Sequence, residues 1–121
     1  MGMNLSRLDD GELFECSNVM WGIIMASAYK TGWKPLGTFK MDENDNPDPN
    51  WDKNDYSSHQ GQIVNETDAF ELFKVLKKYI EIEKEIIDPN EYSIISKFIE
   101  WLNINSHETN LDDYFPGFEI N

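Results

Sequence analysis

The chain has 121 residues, of which 40% are hydrophobic and 13% aromatic; that is material for one core, and it excludes a disordered chain despite a net charge of −13. Its one cysteine, Cys16, excludes an internal disulfide framework and any CxxC metal or redox pair. The acidity repels a phosphate backbone, so no nucleic-acid partner is expected, whereas a basic protein would be steered in.

In chain order, Met1 to Asp10 turns acidic at once and has no apolar h-region, so it does not read as a signal peptide. Gly2 and Ser6 match the short myristoylation pattern, which has no meaning in a bacterial chain. The longest apolar candidate, Val19 to Ala28, falls well short of the ~18 residues of a membrane span and is interrupted by Gly22 and Ser27. No membrane association and a cytoplasmic location are therefore expected. Leu13-Phe14-Glu15 reads as a short extended stub.

Ser17 or Asn18 can cap a first helix over 18–31, whose apolar residues Met20, Ile23, Ile24 and Ala28 follow the 3.6-residue period. Gly32 suits the position just past its end, Trp33 can close the accompanying apolar contact, and Pro35 forbids continuation. Residues 34–62 hold most of the proline and much of the Asn and Asp, including Asn46-Pro47-Asp48-Pro49-Asn50, and predict a long irregular loop. Gln62-Ile63-Val64 is a brief extended element. Asn65, with Asp68 three residues on, resembles a capping box and opens a helix over 66–86 with the stripe Ala69, Leu72, Phe73, Leu76 and Ile80. Asp88, Pro89 and Glu91 mark the start of a third helix, 89–103, with the stripe Tyr92, Ile95, Phe98, Ile99 and Leu102. Phe118-Glu119-Ile120 is a second extended stub, expected to pair with 13–15 or with 62–64.

The expected fold is accordingly a mainly α single domain, 1–121. It is a small three-helix orthogonal bundle with one long acidic loop and a minor β element from short stubs. Its expected core is Met20, Ile23, Ile24, Leu72, Phe73, Leu76, Ile80, Ile95, Phe98, Ile99 and Leu102.

The charge is unevenly spread. Residues 1–40 are neutral, 41–55 sum to −5, 56–87 to −2 and 88–121 to −6. The Asp/Asn run invites a calcium reading that fails on detail. Counting from Asp42, Pro47 stands where an EF-hand loop needs glycine and Lys53 where it needs glutamate; counting from Asp48, Lys53 and His59 stand there. His59 and His107 lack the spacing of a zinc site, and neither a phosphate-binding glycine loop nor a GxSxG elbow occurs. No cofactor, metal site or catalytic residue is expected. One constellation is singled out as a binding site: Trp33, Trp51 and Tyr56 with Asp48, Asp52 and Asp55. Aromatic faces beside carboxylates suit stacking, cation–π contact and hydrogen bonding, to a sugar or to a basic side chain. The competing reading is that the tryptophans anchor the loop to the helices.

The strings at 29–38 (YKTGWKPLGT) and 61–69 (GQIVNETDA), joined by a loop with a Trp and a Tyr, resemble a loosely defined set of small uncharacterised bacterial proteins. The initial Met-Gly-Met and the final Gly-Phe-Glu-Ile are similar too. The resemblance implies a bacterial, cytoplasmic origin and carries no activity. The leading functional expectation is a non-catalytic acidic interaction protein, in its sharpest form an immunity or antitoxin-like inhibitor of a basic partner. A small-molecule or glycan-binding module using the Trp/Tyr loop is the alternative, followed by an enzyme of unrecognised type.

Overall fold

In the computed structural model, which describes residues 2–8, 11–58, 61–102 and 117–121, the chain begins with a strand. Strand β1 (Gly2–Arg7) alternates with a period of two, burying Met3, Leu5 and Arg7 and exposing Gly2 and Asn4. It pairs antiparallel with β2 (Leu13–Ser17), placing Met3 opposite Cys16 and Leu5 opposite Phe14. Helix α1 (Asn18–Lys30) follows directly, its first turn capped by the Ser17 hydroxyl, which accepts from the Met20 amide at 3.1 Å. After the long loop come β3 (Gln62–Val64), α2 (Glu66–Glu83), α3 (Pro89–Leu102) and β4 (Phe118–Ile120). The strands form one antiparallel sheet in the order β2-β1-β4-β3.

The expected three-helix orthogonal bundle with a minor β element is thus corrected to a two-layer α+β fold. The sheet is a full layer, and one cluster of buried side chains draws on all four strands and all three helices. The expectation missed β1 because its third inward residue is Arg7, which breaks the apolar alternation that marks a half-buried strand. Arg7 is tolerated inside because its guanidinium donates to the Trp101 carbonyl at 2.7 Å, in the last turn of α3, and lies 6.0 Å from the centre of the Trp101 ring. Residues 118–120 pair with β3, one of the two partners expected. Their other neighbour is β1, which separates them from 13–15.

The core is also differently composed. Ile24, Leu72, Leu76, Ile95, Phe98, Ile99 and Leu102 are buried as expected, whereas Met20, Ile23, Phe73 and Ile80 are only half-buried. Helix α1 is apolar around its whole circumference, so its period does not select a face. The buried face is Trp21, Ile24, Met25 and Ala28. Phe98 joins the layers, its ring centre 5.1 Å from Phe14 on β2, 5.6 Å from Trp21 on α1 and 6.1 Å from Phe118 on β4. Each such side chain contributes roughly 1.5–3 kcal/mol on full burial.

Candidate docking loop

The loop begins where α1 is stopped. Gly32 adopts φ 103°, its amide donates to the Tyr29 carbonyl at 3.1 Å and the Trp33 amide to Ala28 at 3.0 Å, the paired bonds of a Schellman end. Trp33 then turns inward. Its ring lies 5.3 Å from Tyr29 and 5.4 Å from Tyr56, and its indole N–H donates to the Asp68 carbonyl at 3.3 Å.

Asp68 is the hub of this region. Asn65 caps α2 by accepting from the Asp68 amide at 2.9 Å, but the Asp68 carboxylate does not return the bond as a capping box would. It reaches across to the loop instead, accepting from the Leu36 amide at 2.8 Å and the Gly37 amide at 3.1 Å, and is 1% exposed. A carboxylate in the first turn of a helix is favoured by the helix dipole, and two amide donors replace part of the water it gives up. Gly37 has φ 121°, and a Cβ there would lie 2.6 Å from the Lys53 Cβ, so glycine is required. Thr38 is fully buried. Its hydroxyl donates to the Asp55 carbonyl at 2.9 Å and accepts from the Trp51 indole N–H at 2.9 Å, tying the far end of the loop to its start. Phe39 then pairs with Ile63, carrying one further rung onto the β3 edge of the sheet.

Residues 40–57 are a succession of short turns, each closed by its own aspartate. Asp42 accepts from the amides of Asn44 and Asn46, Asp48 from Asn50, Asp52 from Asn54, and Asp55 from Ser57, all at 2.9–3.0 Å. These are Asx turns, in which a side-chain oxygen replaces a backbone carbonyl. A bridge between Met41 and Pro47, with Asp48 donating to the Lys40 carbonyl at 2.8 Å, folds the tip back on itself. The expected irregular loop is locally ordered, and the aspartates that give it charge also give it shape.

The six residues singled out from the sequence divide into two groups. Trp33 and Tyr56 are buried with their rings in tilted contact, and the Tyr56 carbonyl accepts from the Trp21 indole at 2.6 Å. Burial, followed by the charges of Tyr29 and Asp68, pushes the Tyr56 phenol well above its usual value, and its hydroxyl has no hydrogen-bond partner among the described residues. These two rings anchor the loop. Trp51, Asp48 and Asp55 are half-buried and Asp52 is exposed. Trp51 rests on Thr38 below, with the Lys40 ammonium 5.7 Å from its ring centre. The three residues that fix the loop, Gly37, Thr38 and Asp68, were not among those singled out. The available signal was Asp68 itself: a short carboxylate at the third position of a helix, where a capping box would place a longer Glu or Gln.

Burial raises the Cys16 thiol to about 11, so it is protonated and a poor nucleophile at neutral pH. Among the described residues no group of three or more His, Cys, Asp or Glu could hold a metal ion, and no helix is long and apolar enough to cross a membrane. His59 and His107 lie outside the described residues. Comparison with protein-family models, curated proteins and solved structures gave no match for this chain.

Proposed function

We propose that this is a non-catalytic binding protein that docks a basic protein partner through residues 41–55, in the manner of an immunity protein or antitoxin that occupies a basic cleft. The observation that carries the reading is the shape of the acidic loop. Six carboxylates against one lysine, Lys53, give a charge of −5 over fifteen residues, and four of those carboxylates hold their own turns. Such a loop pays its ordering entropy on folding and not on binding, which favours affinity. Half-buried Trp51 supplies an aromatic anchor amid the charge, as interface hot spots require, because exposed ion pairs are usually worth under about 1 kcal/mol each. A glycan platform is less well supported, since two of its three aromatic faces, Trp33 and Tyr56, are buried.

The test begins with capture of partners from the source organism and measurement of their affinity against salt. Wild-type affinity falls steeply with added salt, because charge complementarity is screened over about 8 Å at physiological ionic strength. Trp51→Ala weakens binding by at least about 2 kcal/mol, as hot spots do. Asp48→Asn, Asp52→Asn and Asp55→Asn together weaken it while preserving the turns, because asparagine closes the same Asx turn. A captured partner indifferent to both sets of changes overturns the assignment of the loop.

A further inference from the structure

Two lysines lie among the six carboxylates of residues 40–55, and both rest on aromatic rings. The Lys40 ammonium is 5.7 Å from the centre of the Trp51 ring, and the Lys53 ammonium is 5.4 Å from that of Phe39. The first contact is built into the backbone of the loop tip. The Lys40 carbonyl accepts from the Asp48 amide at 2.8 Å, and the Asp48 carbonyl accepts from the Trp51 amide at 3.3 Å, so 40, 48 and 51 meet at one corner. The indole itself is held from below, its N–H donating to the hydroxyl of fully buried Thr38 at 2.9 Å. Lys40 and Trp51 are both half-buried, while Lys53 is exposed. A fixed indole in an acidic loop attracts a cation, and here the chain itself supplies the cation that covers it.

We infer that Trp51 receives an arginine side chain of the basic partner, and that Lys40 is the internal competitor which that arginine displaces. This rests on the reading of residues 41–55 as the docking surface and names the group that enters it. A guanidinium is planar, stacks on aromatic faces and is more weakly hydrated than an ammonium, so it gives up less water than Lys40 does in reaching the ring. Asp48 at the same corner and Asp52 next to Trp51 in the chain add the negative charge that a guanidinium pairs with. The displaced Lys40 regains its hydration and its side-chain freedom. Lys40 thereby lowers the apparent affinity of any incoming cation by the fraction of time it covers the ring.

The probe is the blocked peptide acetyl-Gly-Arg-Gly-amide, with the corresponding Lys and Gln peptides as controls. Binding at physiological salt is followed through the Trp51 indole N–H resonance, assigned with Trp51→Phe. The arginine peptide moves this resonance and binds Lys40→Ala about three- to sixfold more tightly than wild type, the factor set by an exposed cation–π contact. Lys40→Arg keeps the charge, covers the ring more firmly and binds the peptide about twofold more weakly than wild type. Lys53→Ala removes the same charge from the same loop but uncovers Phe39, and leaves the affinity at Trp51 within about 1.5-fold of wild type. The lysine peptide binds more weakly than the arginine peptide, and the glutamine peptide leaves the resonance unmoved. The Gly37 and Thr38 amide resonances report that the loop keeps its fold, and where alanine disturbs it the Lys40→Arg result decides. Absence of a shift in Lys40→Ala, equal gains in the two alanine variants, or Lys40→Arg binding as tightly as wild type overturns the inference. Because the peptide stands in for the partner, these outcomes are separate from a captured partner's indifference to Trp51→Ala, which overturns the docking surface itself.

Discussion

Replacing Asp68 with alanine removes the acceptor for two loop amides at once, and the structure sets the size of the effect. Hydrogen bonds to a charged group are worth about 1.5–3 kcal/mol each. The two amides are not equivalent. Leu36 is exposed and its N–H can be taken up by water, whereas Gly37 is buried and its N–H is left without a partner. Against this stands relief of the desolvation of a carboxylate that is 1% exposed. The balance is a loss of about 3 kcal/mol, or about 10 °C in melting temperature for a domain of this size. Asp68→Asn keeps one acceptor oxygen and loses about half as much. Thermal unfolding by circular dichroism measures both, and amide exchange locates the damage: the Leu36 and Gly37 amides lose protection first. An alanine variant melting within about 2 °C of wild type, with those amides still protected, refutes the role of Asp68 as the hub of the loop.

Gly37→Ala places a methyl group 2.6 Å from the Lys53 Cβ at φ 121°, and costs at least about 2 kcal/mol by chemical denaturation. Tyr56→Phe removes a hydroxyl that has no partner among the described residues and leaves stability at pH 7 unchanged or slightly raised by the same assay. The Tyr56 phenol is raised above its ordinary 10.0, so its contribution is whole below that value and is lost as pH rises past it. The phenylalanine variant therefore shows a shallower decline in melting temperature above pH 10. Cys16, raised to about 11 by burial, reacts with a thiol reagent at pH 8 far more slowly in the folded protein than in denaturant, and the folded rate climbs with pH up to that value.

The helices were legible because their ends carry local chemistry. Ser17, Gly32, Asn65 and Asp88 each act within one or two turns, and the three helices fall within three residues of the boundaries drawn from those signals. The stripes of α2 and α3 were legible for the same reason, their polar faces being marked by lysines and glutamates. The sheet was not, because two of its strands are three residues long and β1, one of its two inner strands, carries Arg7 inward. What stabilises β1 is pairing on both edges and a carbonyl at the end of α3, and none of these is local in sequence. In the candidate site the aspartates announced turns, but the division of the aromatics into buried Trp33 and Tyr56 and half-open Trp51 depends on Asp68 and Thr38, whose bonds span 13 to 35 residues.

The placement of β1 beside β4 governs how the chain acquires its structure. Leu5 pairs with Ile120, and Leu8 and Asn4 bond Gly117 and Asn121, so one side of β1 waits for nearly the last residues of the sequence. Bringing such distant partners together costs about 4 kcal/mol in loop-closure entropy. On the ribosome the β1–β2 hairpin can form early, but at about 5–20 residues per second its other edge stays open for several seconds. An open strand edge is a template for pairing with another chain. Refolding is therefore slow for a chain this short and sensitive to protein concentration, and the yield of native protein depends on how quickly residues 117–121 arrive to close the sheet.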